Sequence, residues 1–120
     1  MHLHNWQRNA IALGYFLFIT ILFFLPGSAF PDNDWLDKIW FDKWVHIGIF
    51  ALLILIWLWT FDFLRGEIVM FLLFAAVYGL IVEIMQHQFI PNRSFDIGDW
   101  AADIAGSLIG LAVYNRYIKK

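Results

Sequence analysis

Cysteine is absent from this chain, so disulfides, thiolate metal sites and a cysteine nucleophile are all excluded. Charge is scarce as well. Only 15% of the 120 residues are Asp, Glu, Lys or Arg, against about a quarter in ordinary soluble domains. Eight basic residues stand against ten acidic ones, a formal net charge of −2, and no long Lys/Arg run is present to track a phosphate backbone. Nucleic-acid binding is therefore not expected. No internal repeat or low-complexity tract stands out. What fills the chain instead is apolar: 62% of residues are hydrophobic and 20% aromatic, with a mean hydropathy of +0.68. A soluble fold of this composition would lack the polar surface to cover itself.

A membrane span needs about 20 mainly apolar residues. Four stretches qualify: 9–25, closed by Pro26-Gly27; 44–63, with His46 in its outer turn; 68–86; and 100–117, which Asp103, Gly106, Ser107 and Gly110 interrupt. Backbone groups without partners are not tolerated in hydrocarbon, so these stretches must be helices. The expected fold is an all-α membrane protein, a bundle of four antiparallel transmembrane helices in a single domain over residues 1–120. The first stretch has a rival reading as a signal peptide, because Arg8 precedes it and Gly27-Ser28-Ala29 looks like a small-residue cleavage site. Cleavage would remove one helix of the four, so a retained first helix is the expectation.

Orientation follows from Lys and Arg in the short loops. Arg8, Arg65, Arg116, Lys119 and Lys120 lie on one side, against Lys38, Lys43 and Arg93 on the other. The bias puts both termini in the cytoplasm. Tryptophans are expected at the boundaries, with Trp35, Trp40, Trp44 and Trp100 in one interfacial belt and Trp6, Trp57 and Trp59 near the other.

Antiparallel threading brings the start of helix 2, the end of helix 3 and the start of helix 4 to one membrane face, whichever side is out. Acid, base and amide side chains gather there: Asp42, Lys43 and His46; Glu83, Gln86 and His87; Arg93, Asp96, Asp99 and Asp103. Within each helix they recur three or four residues apart and so share a side. His46, Glu83 and Asp103 each fall about one turn, or about 5 Å, inside the interface. Ionisable groups at that depth are costly, about 2.5–3.5 kcal/mol for Asp on lenient scales, and they usually face the bundle and pair. The ordinary reading of Asp42, Lys43 and Asp96 is a solvated charge or cap at a helix end, Asp99 could cap helix 4, and His46 alone could be a satisfied buried polar group. Glu83 with Asp103 is harder to dismiss, since packing alone could have used Asn or Ser. The Gly106-x-x-x-Gly110 pair and Gly79 permit close approach, and helices 3 and 4 are expected to touch along the face that carries Glu83 and Asp103.

Taken in order, Pro26-Gly27, Asp42-Lys43-x-x-His46, Glu83-x-x-Gln86 and Arg93-x-x-Asp96-x-x-Asp99-x-x-x-Asp103-x-x-Gly106-x-x-x-Gly110 resemble the VanZ-like membrane proteins. The resemblance extends from about Leu25 to Gly110, and it departs at Asp103, where that pattern commonly has Asn. It implies a multi-pass protein of the bacterial cytoplasmic membrane and a link to glycopeptide (teicoplanin) resistance.

Two functional classes compete. In the first, the chain binds or acts on a lipid or lipid-linked envelope molecule at the outer leaflet. His46, Glu83, Asp99 and Asp103 are then the candidate catalytic groups, and Lys43, Gln86, Arg93 and Asp96 hold the substrate, with Arg93 and Lys43 on a phosphate. In the second, the chain is a non-catalytic membrane module whose polar cluster fixes helix packing or binds a partner. Whether it is an enzyme stays open. A metal variant would recruit Glu83, Asp99 and His46 or His87. No tight motif such as His-Glu-x-x-His occurs, so neither a metal nor another cofactor is expected. A through-membrane proton path is disfavoured because the inner halves offer only Thr20, Thr60, Tyr78 and Asp62.

Overall fold

A computed structural model describes residues 3–25, 41–90 and 97–119, without the side chains of 41 and 42. Among the described residues there are four α-helices: α1 (Asn5–Phe23), α2 (Phe41–Thr60), α3 (Arg65–Phe89) and α4 (Ile97–Val113), the last continued by a π-type turn, Tyr114–Ile118. The fold is the expected antiparallel bundle. Each helix begins three or four residues before the apolar stretch that announced it. Hydropathy marks only the apolar part of a helix, whereas the hydrogen-bonded spiral includes polar residues before it: Gln7, Arg8, Arg65 and Glu67. There the starts are secured locally. Gln7 accepts the His4 amide at 2.9 Å and Glu67 accepts the Leu64 amide at 2.8 Å, each satisfying a backbone donor that a helix start leaves over. A reversal over residues 61–64 then joins α2 to α3.

Lengths suit a bilayer. The 19 residues of α1 rise about 28 Å at 1.5 Å each, close to the hydrocarbon thickness of about 30 Å. Stretches 5–23, 43–60 and 65–89 are each long and apolar enough to cross a membrane. The 17 α-helical residues of α4 reach only about 26 Å, and the π turn, closed by Lys119 N–H on the Tyr114 carbonyl at 2.8 Å, lengthens it.

Polarity is inverted relative to a soluble bundle. Leu13, Leu17, Phe18, Met70, Leu73, Phe74 and Leu108 are exposed, while His46, Glu83, Gln86, Asp103 and Ser107 are buried. Such a surface suits lipid, and charged groups of this kind turn toward the bundle interior because hydrocarbon solvates them poorly. The apolar core, from Ile19 and Phe23 through Phe50, Leu53, Ile54 and Leu58 to Ala75 and Val82, fills the space below them.

The glycine pair of α4 meets a different neighbour from the one expected. A Cβ on Gly106 would lie 2.3 Å from the Ile47 carbonyl oxygen, and one on Gly110 would lie 2.5 Å from that of Ala51. The pair therefore docks backbone to backbone on α2, against which α4 packs most extensively, rather than on α3. Contact between α3 and α4 does occur, but through Gly79, whose missing Cβ leaves room for the Asp103 carboxylate.

Helix α1 is built into the bundle. Tyr15 donates to the Ile49 carbonyl at 2.7 Å, Trp57 to that of Ala12 at 3.2 Å, and Arg8 to that of Trp59 at 3.3 Å with its guanidinium over the Trp59 ring. Trp57 is thus a bundle-facing residue stacked on Phe71, not a member of an interfacial belt. Trp100 likewise reaches across to the Ala76 carbonyl at 2.8 Å. Trp6 and Trp44 are exposed as a belt requires, and Trp35 and Trp40 lie outside the described residues.

Candidate functional site

Four side chains from α2 and α4 join at the end of the bundle where the sequence put its ionisable groups. Lys43 occupies the first turn of α2, where the helix dipole disfavours a cation, and Asp99 occupies the first turn of α4, where it favours an anion. The two meet at 2.8 Å. One turn deeper, His46 lies between two carboxylates: its Nδ1 is 2.7 Å from Asp103 Oδ1, and its Nε2 is 3.7 Å from Asp99 Oδ2. The imidazole is further held by the Phe23 ring, stacked with centroids 5.4 Å apart. Ser107 hydrogen-bonds the Asp103 backbone carbonyl at 2.9 Å.

Glu83 enters from α3 and is 0% exposed, beside His46 at 7% and Asp103 at 2%. Ligating atoms of these three lie within 4.8 Å of one another. Lys43 and Asp99 keep 27% and 16% of their side-chain surface accessible, so the array runs from the accessible end of the bundle inward. Chemically it offers a charged mouth, an imidazole whose two ring nitrogens face different carboxylates, and a third carboxylate on the opposite wall. Such an arrangement can hold a proton, orient a histidine or coordinate a cation.

Of the sequence candidates, Lys43, His46, Glu83, Asp99 and Asp103 come together. Gln86 is buried in the same layer, but its amide donates to the Phe23 carbonyl at 2.7 Å, so it ties α3 to the end of α1. Gln86→Leu removes that donor from a buried carbonyl, a loss of about 1–3 kcal/mol, and is expected to lower the melting temperature in detergent clearly. A melting curve unchanged from that of the parent would show that the bond contributes nothing. Arg93 and Asp96 lie outside the described residues, as does the side chain of Asp42. His87 is exposed and does not belong to the His46–Glu83–Asp103 group.

Sequence reasoning missed Phe23 and Tyr15 and named Thr20 and Tyr78 only as isolated polar groups, not as a pair. Phe23, an apolar residue at the end of a span, supplies both the ring over His46 and the carbonyl for Gln86. Tyr15 and the Thr20–Tyr78 pair, 2.6 Å apart, form polar links in mid-bundle. Because Thr20 already donates to the Phe16 carbonyl at 2.9 Å, the Tyr78 hydroxyl is the donor between them. No periodicity marks Phe23 or Tyr15, since an aromatic in a span reads simply as hydrophobic.

An apolar exterior, four antiparallel helices and charges drawn to the interior at one end define an integral membrane protein with a polar interfacial cluster. The VanZ/LLP1 family model matches residues 3–118, and the chain belongs to that family. It is also similar to the uncharacterized protein C11E3.10 of Schizosaccharomyces pombe, with 28% identity over 123 residues, covering 99% of this chain and 71% of that protein. No solved structure matches.

Proposed function

We propose that this protein binds and acts on a lipid or lipid-linked molecule at the outer leaflet, with Lys43 and Arg93 on a phosphate and His46, Glu83, Asp99 and Asp103 carrying the chemistry. Gln86 and Asp96 are assigned to the same substrate-holding set. The observation that carries this reading is the continuous line from the accessible Lys43–Asp99 pair to the buried His46–Asp103 pair. A helix bundle that needed only cohesion would gain little from three carboxylates at one end. A phosphate headgroup at the interface lies within reach of the outer pair, and a base or acid just beneath it is where a proton must be moved.

Topology belongs to the same reading: one domain in a bacterial cytoplasmic membrane, both termini cytoplasmic, the cluster facing outward. The likeness to a yeast protein favours a phospholipid, common to bacteria and fungi, over a wall precursor. On this reading, a link to teicoplanin resistance would run through altered envelope lipid rather than through drug binding. A second reading has an observation of its own. His46 and Asp103 satisfy each other and are buried, as cluster members would be in a non-catalytic module that only fixes helix packing.

Lipidomic comparison of deletion and wild-type cells separates the two. An enzyme acting on lipid predicts one lipid class accumulating several-fold on deletion, restored by the wild-type chain. An unchanged lipidome at normal growth would defeat the catalytic reading and leave the packing module.

A further inference from the structure

We propose that His46, Glu83 and Asp103 form a binding site for one divalent transition-metal ion, with zinc the best match to the donor set. The inference deepens the reading above, because it rests on the same buried cluster and gives that cluster an electrophile for a phosphate oxygen.

The donors come from three helices, α2, α3 and α4, and their ligating atoms already lie within 4.8 Å of one another. One imidazole nitrogen and two carboxylate oxygens are a borderline-to-hard set that suits zinc or manganese and not copper(I). Three protein ligands are too few for calcium, which takes six to eight oxygens. They are the number that a catalytic zinc site uses, leaving a position for water or substrate. Metal–ligand lengths of about 2.0–2.2 Å separate tetrahedral ligands by roughly 3.3 Å. On binding, the His46–Asp103 contact of 2.7 Å would open by roughly half an ångström and the wider separations would close.

Three further observations support a built site. A metal-bound histidine normally passes its other ring N–H to a carboxylate; if His46 Nδ1 takes the ion, Nε2 faces Asp99 at 3.7 Å. Asp99 is in turn fixed by Lys43 at 2.8 Å. Gly79 is a cradle, since a Cβ there would lie 2.7 Å from Asp103 Oδ2, so the glycine leaves room for the carboxylate. Finally, a dication neutralises two carboxylates at a depth in the membrane where negative charge is poorly solvated.

The test uses the full chain purified in detergent without metal-affinity steps. Zinc content is measured by elemental analysis. Titration with zinc, and with manganese followed by electron paramagnetic resonance, gives stoichiometry and affinity. About one zinc per chain is expected, with a zinc-dependent rise in melting temperature. His46→Gln and Asp103→Asn should weaken binding at least tenfold, while His87→Gln, which removes an exposed histidine outside the cluster, should not. Less than a tenth of an equivalent of either metal on the folded wild-type chain would overturn the proposal, whatever the variants do. So would full stoichiometry in His46→Gln, or loss of binding in His87→Gln, which would locate the metal elsewhere. These readouts are independent of the lipidome. Metal binding with an unchanged lipidome would leave the site standing and remove the lipid chemistry, and a lipid phenotype in a metal-free protein would do the reverse.

Discussion

Glu83→Gln is expected to abolish function while leaving the folded protein in the membrane. The substitution preserves side-chain shape and removes one negative charge from a position that is 0% exposed. Gln keeps a side-chain carbonyl acceptor and the length of Glu, so the packing around the position is preserved. Melting in detergent with a chelator present should therefore stay close to that of the parent. If Glu83 moves a proton, the reaction rate should fall by about 10²–10⁴-fold, the usual range for a general acid or base, and the variant should fail to restore the deletion phenotype, as it should if Glu83 helps to hold a cation. A purely structural Glu83 predicts the opposite coupling, with any loss of function tracking a loss of protein level or melting temperature. Normal complementation at normal abundance would end the catalytic assignment.

Gly106→Ala should be strongly destabilising for a change of one methyl group. Its Cβ would fall 2.3 Å from the Ile47 carbonyl oxygen and 2.9 Å from the carbonyl carbon, all backbone atoms that no rotamer change can move. Helices α2 and α4 would have to separate, and overpacking of this kind costs about 1–3 kcal/mol or more. The Lys43–Asp99 and His46–Asp103 pairs span the same two helices, so function should fall together with stability. Gly14→Ala and Gly48→Ala are the controls. Neither Cβ would meet anything within 4 Å, and alanine is the better helix former by about 0.5–1 kcal/mol. Melting temperatures of the three variants in detergent decide the matter: a Gly106→Ala protein as stable as the Gly14→Ala protein would refute the close backbone packing of α4 on α2.

Those glycines show how far the sequence reaches. Gly14, Gly48 and Gly106 all sit in apolar helices and look equivalent on paper. The Gly106-x-x-x-Gly110 spacing identified a close-contact stripe correctly, because four residues is nearly one helical turn. The α3–α4 contact expected along the Glu83 and Asp103 face does form, at Gly79 and Asp103, but the glycine pair itself lies against α2. A stripe states which face of a helix is smooth and carries nothing about what is laid against it. Trp57 failed for a related reason: its place near a span end fitted an interfacial belt, but its ring turns inward against Phe71 and its N–H is taken by Ala12.

The polar cluster divides along the same line. Helical phase and antiparallel threading were enough to bring Lys43, His46, Glu83, Asp99 and Asp103 to one end of the bundle, because a chain that crosses a membrane has few ways to return. Which of them touch was not legible. Gln86 shares a face with Glu83, yet it closes on the Phe23 carbonyl. His87, one residue further on, is turned outward by the 100° step between neighbours on a helix.

By itself the sequence determined that this protein lives in a membrane, how many times its chain turns back, and at which end its charges gather. Those properties follow from one-dimensional quantities: the length of apolar runs, the obligation of every backbone amide to find a partner in hydrocarbon, and the period of the helix. Tertiary structure alone decided that α4 lies on α2, that His46 faces Asp103 on one nitrogen and Asp99 on the other, and that Glu83 closes the group from α3. The reason is physical. Inter-helix contacts depend on the rotation of each helix about its axis and on its crossing angle, and both are set by side-chain packing summed over the whole bundle rather than by any local stretch of the chain.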